Sequence, residues 1–449
     1  MIAGGCLGGR RPSAPGSAWR YAPIRTLVVF GTLATLASAV SAQVAVRDPE
    51  DTRSRSSLAA GGQVRQEYEW FDNEEWGAEV PDHNGYWLQR YMIHLDTRIS
   101  RRVRLYGELK SGIEVGRAGG PRASDEDRLD LHQGFVDVSF RRVTVRVGRQ
   151  ELAFGSQRLV SFREGPNMRQ SFDGGTVVVR QGRWRADGFG TRYVSTETGV
   201  FDDSSDTGRS LWGLYAVRSL AQDGTQGVDL YYIGYRRTAA TFDQARGREI
   251  RHSWGARFWK TSTGIDYNFE AVVQTGSFAN AAIRAWAIGT DTGYRVETAG
   301  RPRLGLRANV TSGDVDRNDD RLGTFNPLFP RGGYFGLIAS AGPSNQVDLH
   351  PLLTVNPGED LSVAIGWLFF WRHRTDDGIY TTSGSLLRSA AGTHSRFVGH
   401  SPGIEAIWQV KGYLSLTGNA SIFTAGPFIR ESGPARTIRF LAGWVTYRF

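Results

Sequence analysis

The chain has 449 residues, with 54 Lys and Arg against 45 Asp and Glu, a formal net charge of +9 and a pI near 9.8. A mean hydropathy of −0.35, with no second helix-length apolar run after the N-terminal one, excludes a helical membrane protein. Cys6 is the single cysteine, so disulfides and thiolate chemistry are excluded from the rest of the chain.

The N-terminus reads as a secretory signal, residues 1–42. Arg10, Arg11, Arg20 and Arg25 form a basic region, Thr26 to Val40 is an apolar core, and Val40-Ser41-Ala42 is a small-residue cleavage pattern. Cleavage is expected after Ala42, with Ala39 as the alternative. Removing this segment takes away four arginines and no acids, which lowers the charge from +9 to +5. That balance indicates no nucleic-acid partner. Lys110, Lys260 and Lys411 are the only lysines. Base composition accounts for part of this bias; a need for rigid guanidinium forks that hold carboxylates two at a time would account for the rest.

Residues 43–61 are polar and unpatterned and are expected to form a periplasmic tail. From Gly62 onward a period of two recurs. In 86–99, Trp87, Tyr91, Ile93, Leu95 and Ile99 alternate with Arg90, His94, Asp96 and Arg98. In 103–116, Val103, Leu105, Leu109, Ile113 and Val115 alternate with Arg104, Glu108, Lys110 and Glu114. In 265–274, Ile265, Tyr267, Phe269, Ala271 and Val273 alternate with Asp266, Asn268, Glu270 and Gln274. The pattern predicts strands at 62–72, 85–100, 103–116, 128–140, 143–149, 174–180, 184–196, 211–221, 227–237, 248–260, 264–276, 280–295, 303–313, 346–355, 359–373, 396–409, 412–424 and 436–449.

The links between these strands alternate in length. Arg101-Arg102, Arg141-Arg142, Gln181–Arg183, Thr261–Thr263, Asn356–Gly358 and Val410-Lys411 are short. The intervening links at 73–84, 117–127, 150–173, 197–210, 314–345, 374–395 and 425–435 are long, with the link near Phe278 as the exception. Short turns at one end and long loops at the other describe an outer-membrane barrel. The expected fold is therefore all-β: a transmembrane antiparallel up-and-down barrel of about 18 strands over 62–449. A barrel of this size leaves an aqueous channel, which also resolves the charged face, because those groups then sit in water rather than in a dry core. Trp254, Trp286, Trp367, Trp371, Trp408 and Tyr232 are candidates for the aromatic girdles. Phe449, Tyr447, Val445 and Leu441 share one face of the last strand, an arrangement similar to the C-terminal signal that such barrels present to their assembly machinery.

The candidate lumen residues are Arg90, Arg98, Arg104, Lys110, Arg146, Arg149, Asp187, Arg257 and Arg284, with Arg158, Arg163 and Arg169 in the loop between Gly148 and Gly174. Rings of positive side chains select anions; a wall of mutually paired charges would select little, and Glu108, Glu114, Asp266 and Glu270 share the same lining. The 148–174 loop carries Phe154, Leu159, Val160, Phe162 and Phe172 as anchors. It is expected to fold inward and narrow the pore, unless its arginines pair with Glu151, Glu164 and Asp173 and merely brace it. His252, His350, His394 and His400 lack ligand spacing, and no Ser-His-acid constellation or G-x-S-x-G is present. No metal, cofactor or enzymatic activity is expected.

Together, DEDRLDLHQGFVDV (125–138), GRQELAFGSQRLVSFREGPNMRQSFDG (148–174), LYYIGYRR (230–237), RLGTFNPLFPRGGYFG (321–336) and AGPFIRESGP (425–434) resemble the alginate-export family of outer-membrane barrels. The resemblance spans essentially the whole chain after the signal. It implies an eighteen-stranded monomer in the Gram-negative outer membrane whose arginine-rich lumen passes an anionic polysaccharide such as alginate. A porin for small anions or oligosaccharides, and a closed-lumen structural or enzymatic barrel, are the alternatives.

Overall fold

The computed structural model describes residues 57–336 and 338–449. The expected signal peptide and most of the expected tail lie outside the described residues. Eighteen long strands form one antiparallel sheet that closes on itself. In chain order, β1 to β9 are Ser57–Asp72, Tyr86–Arg98, Val103–Val115, Asp127–Phe140, Val143–Gln150, Phe172–Gln181, Trp184–Ser195, Ser204–Ser219 and Gln226–Thr241. Strands β10 to β18 are Arg246–Lys260, Gly264–Phe278, Ala281–Arg295, Arg303–Thr311, Gln346–Val355, Leu361–Arg372, Phe397–Lys411, Leu414–Ala425 and Ile438–Arg448. Each strand pairs with its neighbours in sequence, and β1 pairs with β18 from Gln63↔Arg448 to Asp72↔Arg439. Closure leaves no free edge, so every strand's backbone polar groups are met inside the sheet, as a hydrocarbon surrounding requires.

All eighteen predicted strands are present, and the differences are at their ends. β1 begins at Ser57, because Ser57 to Gly61 pair with Arg98 to His94; these residues were expected in the tail. β8 begins at Ser204, seven residues earlier than expected, which shortens the preceding loop. The last short turn is Gly412-Tyr413 rather than Val410-Lys411.

Burial is inverted relative to a water-soluble protein. On β2, Trp87, Ile93 and Leu95 are exposed while Arg90 is 1% exposed. On β3, Ile113 and Val115 are exposed while Arg104, Glu108, Lys110 and Glu114 are buried. On β11, Ile265, Phe269 and Val273 are exposed and Asp266, Glu270 and Gln274 are buried. The apolar faces of the alternating strands thus point outward, where lipid makes that arrangement favourable, and the charged faces point into the lumen. Trp254, Trp367 and Trp408 stand outward, as do Leu441, Val445, Tyr447 and Phe449 of the last strand. The chain is an outer-membrane barrel, with its long loops at the end opposite the short turns.

Candidate functional site: a loop laid across the lumen

The segment 151–171, between β5 and β6, has no regular secondary structure of its own, and it crosses the lumen. At one wall, Arg90 on β2 grips it. The Arg90 guanidinium donates to Glu164 Oε1 at 2.7 Å and to the carbonyls of Glu164, Pro166 and Asn167 at 2.5–2.9 Å. Arg65 on β1 donates to the carbonyls of Glu164 and Gly165. Asn167 donates to Gln89 O and to Asp125 O. At the far wall, Arg158 reaches Glu270 on β11 at 3.5 Å and donates to Asn309 on β13, while Ser156 donates to Glu270. Gly289 on β12 makes room for this, since a Cβ there would lie 2.5 Å from Arg158 Nη1.

The middle of the loop packs against the segment 312–345. Ser161 N donates to Phe329 O, Phe329 N to Leu159 O, and Arg331 N to Gln157 O, at 2.8–3.0 Å. Tyr334 OH donates to Ser156 O at 2.5 Å. Arg158 lies over the Tyr334 ring at 4.7 Å, with Arg307 of β13 at 5.5 Å from the same ring. Leu152, Leu159, Val160 and Phe172 join Phe325, Leu328 and Phe329 and the inward rings of β7–β9 in one buried apolar cluster. Phe154 stacks on both Phe189 and Tyr215. The loop is held by charge at its two ends and by apolar packing in its middle.

Most lumen cations are matched by carboxylates. Arg104 binds Asp96 at 2.7 Å and Asp137 at 3.1 Å. Arg146 binds Asp137 at 2.7 Å and lies 3.7 Å from the Phe135 ring centroid. Lys110 bridges Asp127 at 2.8 Å and Asp203 at 2.7 Å. Arg169 bridges Glu151 at 2.7 Å and Glu164 at 3.2 Å. Arg257 binds Asp229 at 2.6 Å, and Asp187 takes Arg185 at 2.9 Å. Arg98 lies on the inward face near the short-turn end of β2. Pairing is what physical chemistry demands here, because a buried unpaired charge costs several kcal/mol. Two acidic groups, Glu108–His132–Glu151 and Asp127–Asp130–Asp203, have metal-like spacing, but Arg169 sits on the first and Lys110 on the second.

Two expected lumen residues are elsewhere. Arg284 is on the outward face of β12, in step with Trp286 and Ile288, which are both exposed. Arg149 follows Val145 and Val147 on the outward face of β5, where Asp173 at 2.9 Å and the carbonyls of Leu131 and Asp203 hold it. Arg163 differs from the other loop arginines. Its φ is 55°, it makes no side-chain ion pair, and its buried Nε has no hydrogen-bond partner among the described residues. Burial lowers its pKa below the usual guanidinium range, with Tyr193 and Asp125 opposing at longer range. Burial raises Glu151 to about 7, although Arg169 and Arg90 pull the other way.

Sequence reading missed the partners of this loop in the 312–345 segment, and it missed Asp314 and Asp377. Asp377, between β15 and β16, accepts from Thr324 and Tyr380 at 2.6 Å and from Asp314 N at 2.9 Å. Asp314 accepts from Gly323 N at 2.7 Å. Burial raises both carboxyls to about 6. These polar knots hold the two longest loops together, and no local motif marks them.

Among solved structures, the fold is similar to OccK1 (OpdK) of Pseudomonas aeruginosa, with a TM-score of 0.60 at 11% identity over 87% of this chain and 98% of that one. It is also similar to OpdO of Pseudomonas aeruginosa, with a TM-score of 0.59 at 13% identity over 88% and 97%. A third similar structure is OccK2 (OpdF) of Pseudomonas aeruginosa in complex with glucuronate, with a TM-score of 0.57 at 10% identity over 88% and 98%. No curated protein matches the sequence. The model of the alginate export family matches residues 56–442. That match covers every barrel strand from β1 well into β18, and with it the chain belongs to the alginate-export family.

Proposed function

We propose that the barrel is an outer-membrane channel for uronate-bearing saccharides, with an acidic polysaccharide such as alginate as its passenger. The observation that carries this reading is the 151–171 loop, laid from Arg90 on one wall to Glu270 and Asn309 on the other. It sets the aperture and offers guanidinium groups beside it. A passing carboxylate exchanges with the protein's own carboxylates for the same forks, so each contact replaces one already made. Such exchange attracts the passenger without trapping it, as conduction requires. Arg163 is the loop cation with no carboxylate of its own and makes first contact. Membership of the alginate-export family supports the substrate class.

A second reading is a porin for single uronates or short acidic oligosaccharides. It is favoured by the bracing of the loop at both ends, which gives a fixed, narrow aperture, and by the glucuronate bound in the similar OccK2 barrel. Single-channel recording in planar bilayers separates the readings. A polyuronate should block the current in discrete, salt-sensitive events, and a neutral glucan of equal length should not. Block by glucuronate without block by the polymer would favour the porin. A barrel that conducts nothing would overturn both.

A further inference from the structure

Arg284, one of the two expected lumen arginines that fall on the outer face, belongs to a second feature there. Cross-strand partners trace one continuous row there: Arg149, Asp173, Arg192, Ser210, Arg236, Ile250, Ser277 and Ala282, each paired with the next from β5 to β12. All are on the outward face at the long-loop end. Arg248 lies two residues beyond Ile250 on β10, and Arg284 two residues below Ala282 on β12.

Arg192, Arg248 and Arg284 are exposed, and no carboxylate pairs with them among the described residues. Arg236 is half-buried and among the described residues reaches only the Thr207 carbonyl, at 3.0 Å. The acids nearest in the row are already occupied: Asp173 holds Arg149, and Asp206 holds Arg209 at 2.5 Å. On the opposite arc the corresponding arginine, Arg439 on β18, is paired with Asp72 at 2.8 Å. Arg128 on β4 and Arg396 just before β16 are also exposed without a carboxylate among the described residues, so such cations are most numerous on β7–β12.

Below this row toward the membrane comes an aromatic layer. Trp212 donates to Tyr232 OH at 3.2 Å, Tyr232 OH and His252 Nδ1 share a hydrogen bond at 2.8 Å, and Tyr232 packs on Trp254 at 4.5 Å. Trp286 follows Arg284 on β12. Leu214 and Val273 share the row of Tyr232, Trp254 and Trp286, and Leu230 and Ile288 lie one step below; all four are about half exposed. Arginine, then aromatic, then aliphatic is the order of a bilayer's headgroup, interface and hydrocarbon layers. Arg236 is four residues above Tyr232, roughly 13 Å along a tilted strand, which places its fork at headgroup depth.

We propose that this arc is a binding site for phosphorylated lipid headgroups of the outer leaflet. Guanidinium forks hold phosphate oxygens two at a time; Arg192 and Arg236 lie in one row, Arg248 one step above it and Arg284 one step below, so the four forks across β7–β12 can reach the phosphates of neighbouring lipids. The site would anchor the β7–β12 side of the barrel and leave the β14–β18 side free to tilt.

The test uses the full barrel purified in detergent, with bound lipids counted by intact-complex mass spectrometry. The added lipids are a diphosphorylated lipid A, the same lipid dephosphorylated, and phosphatidylcholine; inorganic phosphate is a separate arm. The native barrel should retain the phosphorylated lipid selectively and lose it as salt rises. The triple variant R192Q/R248Q/R284Q should bind it about a hundredfold more weakly, at about fivefold for each arginine at an anionic surface. Arg439→Gln should bind it normally. Equal retention of the dephosphorylated lipid, or retention that salt does not weaken, would overturn the proposal in the native protein alone. So would unchanged binding by the triple variant, or displacement by millimolar inorganic phosphate.

Discussion

The lumen wall has two unlike parts, and they hold their loops by different forces. From β1 to β14 the inward face is dense in charge: Arg65 and Glu67, Arg104 and Asp137, Glu249 and Arg251, Arg303 with Asp266 and Asp291. From β15 to β18 it is largely neutral and small, with Ala364, Ser401, Ser415, Thr417, Asn419 and Ser421 facing inward. Glu405 is a charge on that arc, and Arg372 stands at its loop end. The charged wall captures the 151–171 loop through Arg90 and Glu270. The neutral wall is capped by apolar packing, in which the short helix Pro427–Ser432 inserts Phe428 and Ile429 among Phe370, Val398, Phe423, Ile438 and Phe440. A charged lining must pair locally, so it fixes whatever backbone brings the partner; the neutral lining is closed mainly by shape, with Arg388 donating to the carbonyls of Ile429 and Pro434.

Breaking the ion-paired end should have the largest effect. Arg90→Met removes the donor to Glu164 Oε1 and to the Pro166 and Asn167 carbonyls while Arg169 and Arg65 still reach Glu164, and should cost about 3 kcal/mol of loop docking. Hydrogen exchange would then rise across 151–171 while protection at 426–437 stays unchanged. The converse change is Phe428→Ala, which should cost a comparable amount, about 3–4 kcal/mol. It should loosen 426–437 and leave 151–171 protected. If either substitution loosened both loops equally, the division of the wall would be wrong.

A smaller effect is expected from pH. Burial raises Asp314 and Asp377 to about 6 from ordinary aspartate values. Because their folded pKa is above the unfolded one, protonation favours the folded loops. That contribution is fully present below about pH 4 and is lost as pH rises through about 6. Amides of 312–345 and 373–396 should therefore exchange more slowly at pH 5 than at pH 7.5, after correction for intrinsic rates. Slower exchange at the higher pH would contradict the assignment.

The smallest effect on stability should come from Arg163→Gln, within about 0.5 kcal/mol, because no ion pair is lost. It should nonetheless shift the reversal potential in a salt gradient toward weaker anion preference. An unchanged potential would remove Arg163 from the conduction path.

The strands were legible because their signal is local. Alternation at 86–99 or 265–274 needs no knowledge of the rest of the chain, and the contrast between Arg141-Arg142 and the 150–173 segment orders the two ends. The faces were legible wherever one side was bulky. They failed at Arg284, where Ala281, Ala282, Ala285 and Ala287 blur the alternation of β12. They failed at Arg149, whose charge suits the lumen while its parity with Val145 and Val147 places it outward. The partners were not legible at all. Arg90 meets Glu164 across 74 residues and Arg158 meets Asn309 across 151. Only closure of the barrel brings those walls within reach of one loop, and no spacing rule in the sequence encodes it.

The most direct test of the central claim is the single-channel conductance of Arg90→Met beside that of the native barrel. If the loop held by Arg90 sets the aperture, the variant should show a larger and noisier conductance and weaker polyuronate block. An identical conductance, with 151–171 shown by hydrogen exchange to be released, would contradict it.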